Sequence, residues 1–548
     1  MKASALCLLA LSPFALAQSH HSMPMHPAAP PAGEKLGVVS FSVSCSPTVQ
    51  ASFNRGVALL HDFWYEEVGP QFDQIAKADP TCAMAHWGLA MGKFHQIWDR
   101  PDDATMKSGW AEIQKAQSLH AKTDREREYI AALATFYKPG KQDFMARVTA
   151  YSDAMGALYK HYPGDVDAGA FYALSLLASG APDDTSLTQQ HKAMAVLTPL
   201  FAKYPDNPGL VHYIIHSCDN PAMAPDGLAA AQRYGIIAPS GPHAVHMSGH
   251  IFARLGMWPE DIESQLGSIK ASEAAEAHGL SGIMDEPHSY DFLMYAYLQS
   301  GQDANAKDVL DKMPGVLKRL GDVSDMQYMA GMVPYYQSEF PVIFSLEMRD
   351  WPTASALKPV PNSPANVETQ TWWARAIADG HLRHAAQAQA DLAKYDALIA
   401  EVRKGRHAYE ADSTGAQIVR FEIAGWAAFA AGDQDESLKQ MRAAADLQDK
   451  VGQGEVDIPA REMLADMLLE FHQPQQALAE YRIDLKLSPN RFNGLYNAGV
   501  AAEAAGDKRA AAEYYAALLK STDNGASSSR PEMAHAKSFV ASEQLAAK

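Results

Sequence analysis

Thiols, basic charge and long apolar runs are all scarce in this chain. Four cysteines occur in 548 residues, none of them closely spaced. That disfavours structural zinc and iron–sulfur clusters, which are built on clustered thiolates. Lys and Arg number 46 against 64 Asp and Glu, a formal net charge of -18. Nucleic acid and anionic membrane surfaces want basic patches, so neither is expected as a main partner. An acidic balance suits metal cations or basic ligands, and a plain solubilising surface equally well. Beyond the first residues no unbroken apolar stretch is long enough to span a membrane. No sustained alternation of apolar and polar residues reads as a strand. A Gly-rich phosphate loop, a nucleophile elbow and a Cys–His pairing are also missing. There is no His-Glu-x-x-His, so a zincin-type protease is not indicated.

What is present begins with an export signal. Lys2 supplies the positive start, Ala5 to Leu11 the short apolar stretch, and Ala15-Leu16-Ala17 a small-x-small cleavage site. Cleavage near Ala17 leaves a mature chain beginning at Gln18, expected in the periplasm or secreted. Residues 18–47 form a His/Met/Pro-rich leader and lead-in segment (His20, His21, Met23, Met25, His26), expected to be disordered through its low-complexity part, 18–37. Of the three cysteines left, Cys45 and Cys82 bracket the first helical hairpin, and an oxidising compartment allows them to pair. Cys218 then reads as a small buried residue.

A chain of this length is too long for one compact core of usual size, so it holds several domains or one extended array. From about Thr48 apolar residues recur at three- and four-residue spacing, broken by short Gly, Pro, Asp or Asn punctuation. Asp79-Pro80, Tyr162-Pro163, Tyr204-Pro205, Ala238-Pro239 and Ser488-Pro489 each close a helical hairpin. Gly180, Gly256, Gly301, Gly380, Gly432 and Gly506 each sit at a turn inside one. Repeated helix–turn–helix units predict an all-α solenoid, because one hairpin cannot bury its apolar face alone and a stack of them can.

Three units carry a family resemblance. One runs from Pro459-Ala-Arg-Glu-Met-Leu through Ala477-Leu-Ala-Glu-Tyr to Pro489. The next holds Gly494-Leu-Tyr-Asn-Ala-Gly-Val-Ala-Ala, Gly506-Asp and Ala511. The first, Gly56-Val-Ala-Leu-Leu to Pro80, has Tyr65, Val68 and Phe72 in the packing slots. These resemble the tetratricopeptide repeat, over roughly residues 48–522, with 523–548 left as a C-terminal capping helix or tail. The chain also looks like a group of exported bacterial repeat proteins that begin with Leu-Leu-His-x-Phe (Leu59 to Phe63) and end with Pro-Ala-Arg-Glu. The resemblance implies a right-handed superhelix of hairpins. The first helix of each hairpin would line a concave groove that takes a peptide or small-molecule substrate.

The resemblance also gives direction to the histidines. Counted back from Gly256, His243, His246 and His250 fall at the second, fifth and ninth repeat positions, all groove-facing. Their spacing alone puts them on one helical stripe. His212 and His216, an i, i+4 pair common for two ligands of one metal, fall at the fifth and ninth positions of the preceding unit. His288, Asp291 and Tyr295 occupy the second, fifth and ninth positions of the following one. His61 stands at the thirteenth position of the first hairpin, further around the superhelix. Three consecutive repeats thus present six histidines and a carboxylate at matching depths.

Histidine is a mediocre helix former, and charged imidazoles so close would repel. A metal removes that conflict, because its ligands are neutral imidazoles; a hydrogen-bonded groove gripping a peptide is the other reading. Nitrogen and oxygen donors without paired thiolates favour copper, then non-haem iron, then catalytic zinc. His212, His216, His246 and His250 are the leading ligands; His243, His288 and Asp291 follow as ligands or as residues that orient them. Six histidines allow two three-histidine centres, as in binuclear copper proteins, or one smaller site with histidines to spare. In an enzyme, Asp291 or Tyr295 would handle protons while the metal activates dioxygen or polarises water. The expectation is an exported metalloprotein, leaning towards a metal-dependent oxidoreductase. A peptide-binding scaffold and a metal-storage or delivery protein are the alternatives. A second stripe, Glu462, Asp466 and Glu470, would join the site only if the superhelix curves far enough.

Overall fold

The computed structural model describes residues 31–97, 100–180, 184–323, 331–405, 408–452, 454 and 456–546. The signal segment and His20 to His26 lie outside them. Among the described residues there are 25 α-helices and no strand. They form hairpins in strict succession: α1 (Gln50–His61) with α2 (Tyr65–Ala78), α3 (Ala83–Met91) with α4 (Asp103–Ser118), α5 (Asp124–Tyr137) with α6 (Phe144–His161), and α7 (Val166–Ala178) with α8 (Thr188–Phe201). The middle of the array is α9 (Pro208–Cys218) with α10 (Ala224–Ile237), α11 (Pro242–Arg254) with α12 (Trp258–Ala277), and α13 (Glu286–Gln299) with α14 (Asp303–Val323). Then come α15 (Met332–Glu347) with the short α16 (Trp351–Ser355), α17 (Ala365–His381) with α18 (Ala385–Val402), and α19 (Thr414–Ala430) with α20 (Gln434–Val451). The last hairpins are α21 (Ala460–Glu470) with α22 (Pro474–Leu487) and α23 (Phe492–Ala504) with α24 (Lys508–Ser521), capped by α25 (Glu532–Ala546).

Local chemistry marks the hairpins. Asp102, Asp143, Asp165, Asn207 and Asp433 cap helix starts by accepting backbone N–H bonds. Gly256, Gly301, Gly432 and Gly506 take the left-handed backbone (φ 62–82°) that ends the first helix of a hairpin. Phe63, Arg349, Arg383 and His472 do the same at φ 54–60° without glycine's freedom. Gly380 is not at a turn: it lies inside α17, and Arg383 makes the turn three residues on. Gly380 serves packing instead, since a Cβ there would lie 2.8 Å from the Trp426 ring.

Both ends of the array return to its middle. Trp64 Nε1 donates to the Ser281 carbonyl (2.8 Å), and the Ser281 N–H donates to Glu67 (2.9 Å). From the other end, Trp258 Nε1 donates to the Asn490 carbonyl (2.8 Å) and Asn490 Nδ2 to the Gly256 carbonyl (3.1 Å). The interior that α9, α11 and α13 face is thereby enclosed.

The lead-in segment is more ordered than its composition predicts. Residues 34–46 run extended across the first hairpins, their backbone read by side chains: Asn54 accepts from Phe41 N–H (3.2 Å), Gln50 from Val43 (3.1 Å), Glu126 from Ser44 (2.6 Å) and Asp79 from Ser46 (2.7 Å). Phe41 is fully buried among Phe53, Trp87 and Tyr129, with the Arg125 guanidinium 4.3 Å from its ring centre. Cys45 and Cys82 form a disulfide that fixes the end of the segment, and Cys218 is a buried free thiol.

Candidate metal centre

Three consecutive first helices carry the site. In α9, α11 and α13 a proline stands in the first helical turn, where its missing N–H leaves no hydrogen bond unmade. The histidines follow on the inward stripe. All six come together, as two groups of three. His212, His216 and His243 have ligating atoms within 4.8 Å of one another, and so do His246, His250 and His288. The His243 and His246 ring centres lie 5.9 Å apart, so the groups are neighbours.

The groups are related by the repeat itself. His246 and His250 lie 34 residues after His212 and His216, the period of a tetratricopeptide unit. Each group takes an i, i+4 pair from one helix and a third histidine from the next. The position 34 residues before His243 is Gly209. A Cβ there would stand 2.4 Å from His61 Nδ1, so glycine lets the first hairpin lie against α9.

Hydrogen bonds on the far side of the rings decide which nitrogen faces inward. His212 Nδ1 donates to the His61 backbone carbonyl at 2.6 Å. A carbonyl can only accept, so Nδ1 carries the proton and Nε2 a lone pair. That Nε2 is buried with no hydrogen-bond partner, as is His216 Nε2. In the second group His250 Nδ1 donates to Asp219 Oδ2 (3.0 Å), itself paired with Arg254 (3.0 Å). His246 Nδ1 donates to Gln265 Oε1 (2.7 Å), and the Gln265 amide is oriented by donating to Asp261 (2.8 Å). The two Nε2 atoms lie 2.9 Å apart. With His250 protonated, its Nε2–H donates to His246; with both rings neutral, two lone pairs face each other, an arrangement that a shared cation would relieve.

Electrostatics agree with this ligand state. Burial first, and neighbouring histidines second, push His216, His243 and His288 down to about 3 and His212 and His246 well below their usual range. These five rings are held towards the neutral form, the state metal ligands need. Asp285 Oδ1 lies 3.4 Å from His243 Nδ1, and burial raises its carboxyl to about 7.

Other sequence-derived candidates fall elsewhere. Asp291 is buried one turn beyond His288, in the field of Tyr336 and Glu339; burial and then its charge raise both groups. Tyr295 is turned away: its hydroxyl donates to the Asp457 carbonyl (2.7 Å) and accepts from Arg491. The acidic stripe does not reach the histidines. Glu462 pairs with Arg491 (2.9 Å), Asp466 with Arg349 (2.7 Å), and Glu470 faces Arg383 at 3.8 Å near the surface. The His61 side chain is engaged with Asp167 (3.1 Å) and Tyr213 (3.0 Å) and contributes its carbonyl alone. His381 packs between Trp351 and Trp426, and His407 lies outside the described residues. Asp219, Gln265 and Asp285 were not singled out by the sequence. Asp219, three residues after His216, and Asp285, three residues before His288, had a local signal; Gln265 had none.

The hairpins and their turns define one architecture. The fold is a tetratricopeptide-like helical repeat. No family model matches the chain, and no curated protein matches it. Among solved structures, the repeat is similar to a human IFIT1 dimer with m7Gppp-AAAA, at 12% identity over 80% of this chain and 90% of that one, TM-score 0.32. It is similar to a human IFIT1 dimer with PPP-AAAA at 11% identity over the same shares, TM-score 0.36. It also resembles the P58(IPK) TPR domain at 11% identity, over 91% of this chain and 99% of that one, TM-score 0.20. The likeness concerns the repeat and not its ligands.

Proposed function

We propose that the repeat array is an exported binuclear metalloprotein, with copper as the first metal, non-haem iron second and zinc third, acting in oxidative chemistry on a small-molecule substrate. One observation carries this reading: two adjacent three-histidine groups, with His212 Nε2 unprotonated and the Nε2 atoms of His212 and His216 buried without a hydrogen-bond partner. Bound there, the ions would supply redox or Lewis-acid chemistry. The chain itself holds His212 through the His61 carbonyl, His250 through Asp219 and His246 through Gln265, with His212, His243 and His246 buried and His216, His250 and His288 part-exposed. Asp291, which lies beside Tyr336 and Glu339, and Tyr295, which Arg491 engages, are given no proton-handling role.

The peptide-scaffold reading has less room. The face of the first hairpins is filled by residues 34–46 of the chain itself, with Phe41 in an aromatic pocket. Metal storage or delivery would use the leader as well as the groove.

The deciding measurement is metal content of protein purified without a histidine tag. Two ions per chain are expected, falling to one in His246→Ala/His250→Ala. Metal lost only on deleting residues 18–37 would favour storage or delivery; no metal in the folded protein would sink the reading. A finer variant is Gly249→Ala. A Cβ there would lie 1.9 Å from Gln265 Nε2 and 2.5 Å from Asp261 Oδ1, so it displaces the pair that orients His246. Competition titration should show about 10–100-fold weaker binding at the second centre, with the first unchanged.

A further inference from the structure

Residues Leu59 to Phe63, the Leu-Leu-His-x-Phe segment, have so far been assigned only one contact with the site. Their geometry goes further. The turn between α1 and α2 enters the enclosed interior about 150 residues away in sequence from the histidines it meets. His61 holds His212 by its carbonyl. Asp62, fully buried, accepts from the Tyr234 hydroxyl at 2.8 Å, and the Tyr234 ring lies 5.2 Å from His212. Phe63, 2% exposed, has its ring centre 4.4 Å from His212, 5.6 Å from His216 and 5.7 Å from His243. It lies nearly parallel to the last two, at 26° and 17°.

Phe63 does this from φ 55°, the turn position held by glycine in four other hairpins and by Arg349, Arg383 and His472 in three. A bulky side chain in the left-handed region is uncommon, and at this turn it lies against three imidazoles. The second group differs. Its phenylalanine, Phe292, comes from α13 four residues after His288; its ring centre lies 4.9, 4.7 and 5.2 Å from His246, His250 and His288, edge-on to the first and last (85° and 84°) and tilted 42° to His250. Two of this group's histidines, His250 and His288, are part-exposed, and the side chains of His250 and its support Asp219 are 12% and 17% exposed; in the first group only His216 is part-exposed.

We infer that the turn Asp62–Trp64 is a wall of the histidine site and that Phe63 shields the first centre, so that an external ligand binds at the second centre alone. The inference rests on the metal reading above and makes the two centres inequivalent: His212/His216/His243 a closed one, His246/His250/His288 the one that meets small molecules.

Azide, a small anion that gives a charge-transfer band on binding copper(II), tests it on the copper-loaded full chain. Wild type is expected to bind one azide per chain. Phe63→Gly relaxes the backbone and removes the ring, and is expected to bind two. Phe63→Asn, whose side chain tolerates left-handed backbone, should also bind two, and serves if the glycine variant misfolds. Copper counted in the same samples separates the two claims. Fewer than two ions in wild type overturns the metal reading itself. Two ions throughout with equal azide stoichiometry overturns the shield alone. If both variants lose the first ion and keep the second, Phe63 is a structural support and the shield is again overturned.

Discussion

Arg491→Met should destabilise the folded array by about 3–5 kcal/mol, the usual effect of removing one partner from a buried ion pair. Arg491 is 1% exposed and reaches four groups from three parts of the chain. It pairs with Glu347 of α15 (2.8 Å) and Glu462 of α21 (2.9 Å), donates to the Asp457 carbonyl (2.9 Å) and contacts the Tyr295 hydroxyl of α13. Methionine fills much of the volume but leaves two carboxylates in a dry interior. The loss should be read as a fall in the urea midpoint and in Tm. Arg491→Met/Glu347→Gln/Glu462→Gln, which leaves no buried charge behind, should recover a substantial part. A single variant within about 1 kcal/mol of wild type, the scale of an exposed pair, would show that this cluster does not hold the C-terminal hairpins to α13.

The second large effect is expected at the opposite end. Phe41→Ala removes a buried aromatic from a pocket of three rings and should cost about 3–5 kcal/mol. Because a repeat array opens locally, the loss should concentrate in the lead-in segment. Residues 34–46 should become sensitive to limited proteolysis, and amide exchange should quicken at Phe41, Val43, Ser44 and Ser46, whose N–H groups bond to side chains of the first hairpins. The Cys45–Cys82 bond would keep the loosened segment tethered. Unchanged exchange at those four amides would mean that Phe41 does not anchor it.

What could be read in the sequence, and what could not, follows from the range of the interactions. The hairpins were legible because apolar periodicity and turn residues are local. The histidine stripe was legible because i, i+3 and i, i+4 neighbours share a helix face in any context. Its division into two groups was present as a 34-residue offset between His212/His216 and His246/His250. The supporting residues were hidden. Gln265 meets His246 from the second helix of the same hairpin, and Phe63 meets three histidines from a hairpin four units away. No local pattern encodes either. Tyr295 shows the converse: its repeat position faces inward, yet Arg491, nearly 200 residues on, claims its hydroxyl. Composition misled at residues 34–37, where a low-complexity stretch is held by contacts from far along the chain, such as Lys35 N–H to Ser240 Oγ (2.9 Å) and Gly37 N–H to the Ile237 carbonyl at the end of α10 (2.9 Å).

Helix α11 contributes to both centres, giving His243 to one and His246 and His250 to the other. The spacing between the two histidine groups is therefore set along a single rod, where three residues advance about 4.5 Å. Sliding or twisting that rod would shift imidazoles of both groups at once and in the same sense. The protein thus has one mechanical handle on the pair, and the second helix of the same hairpin, α12, grips that handle through Gln265.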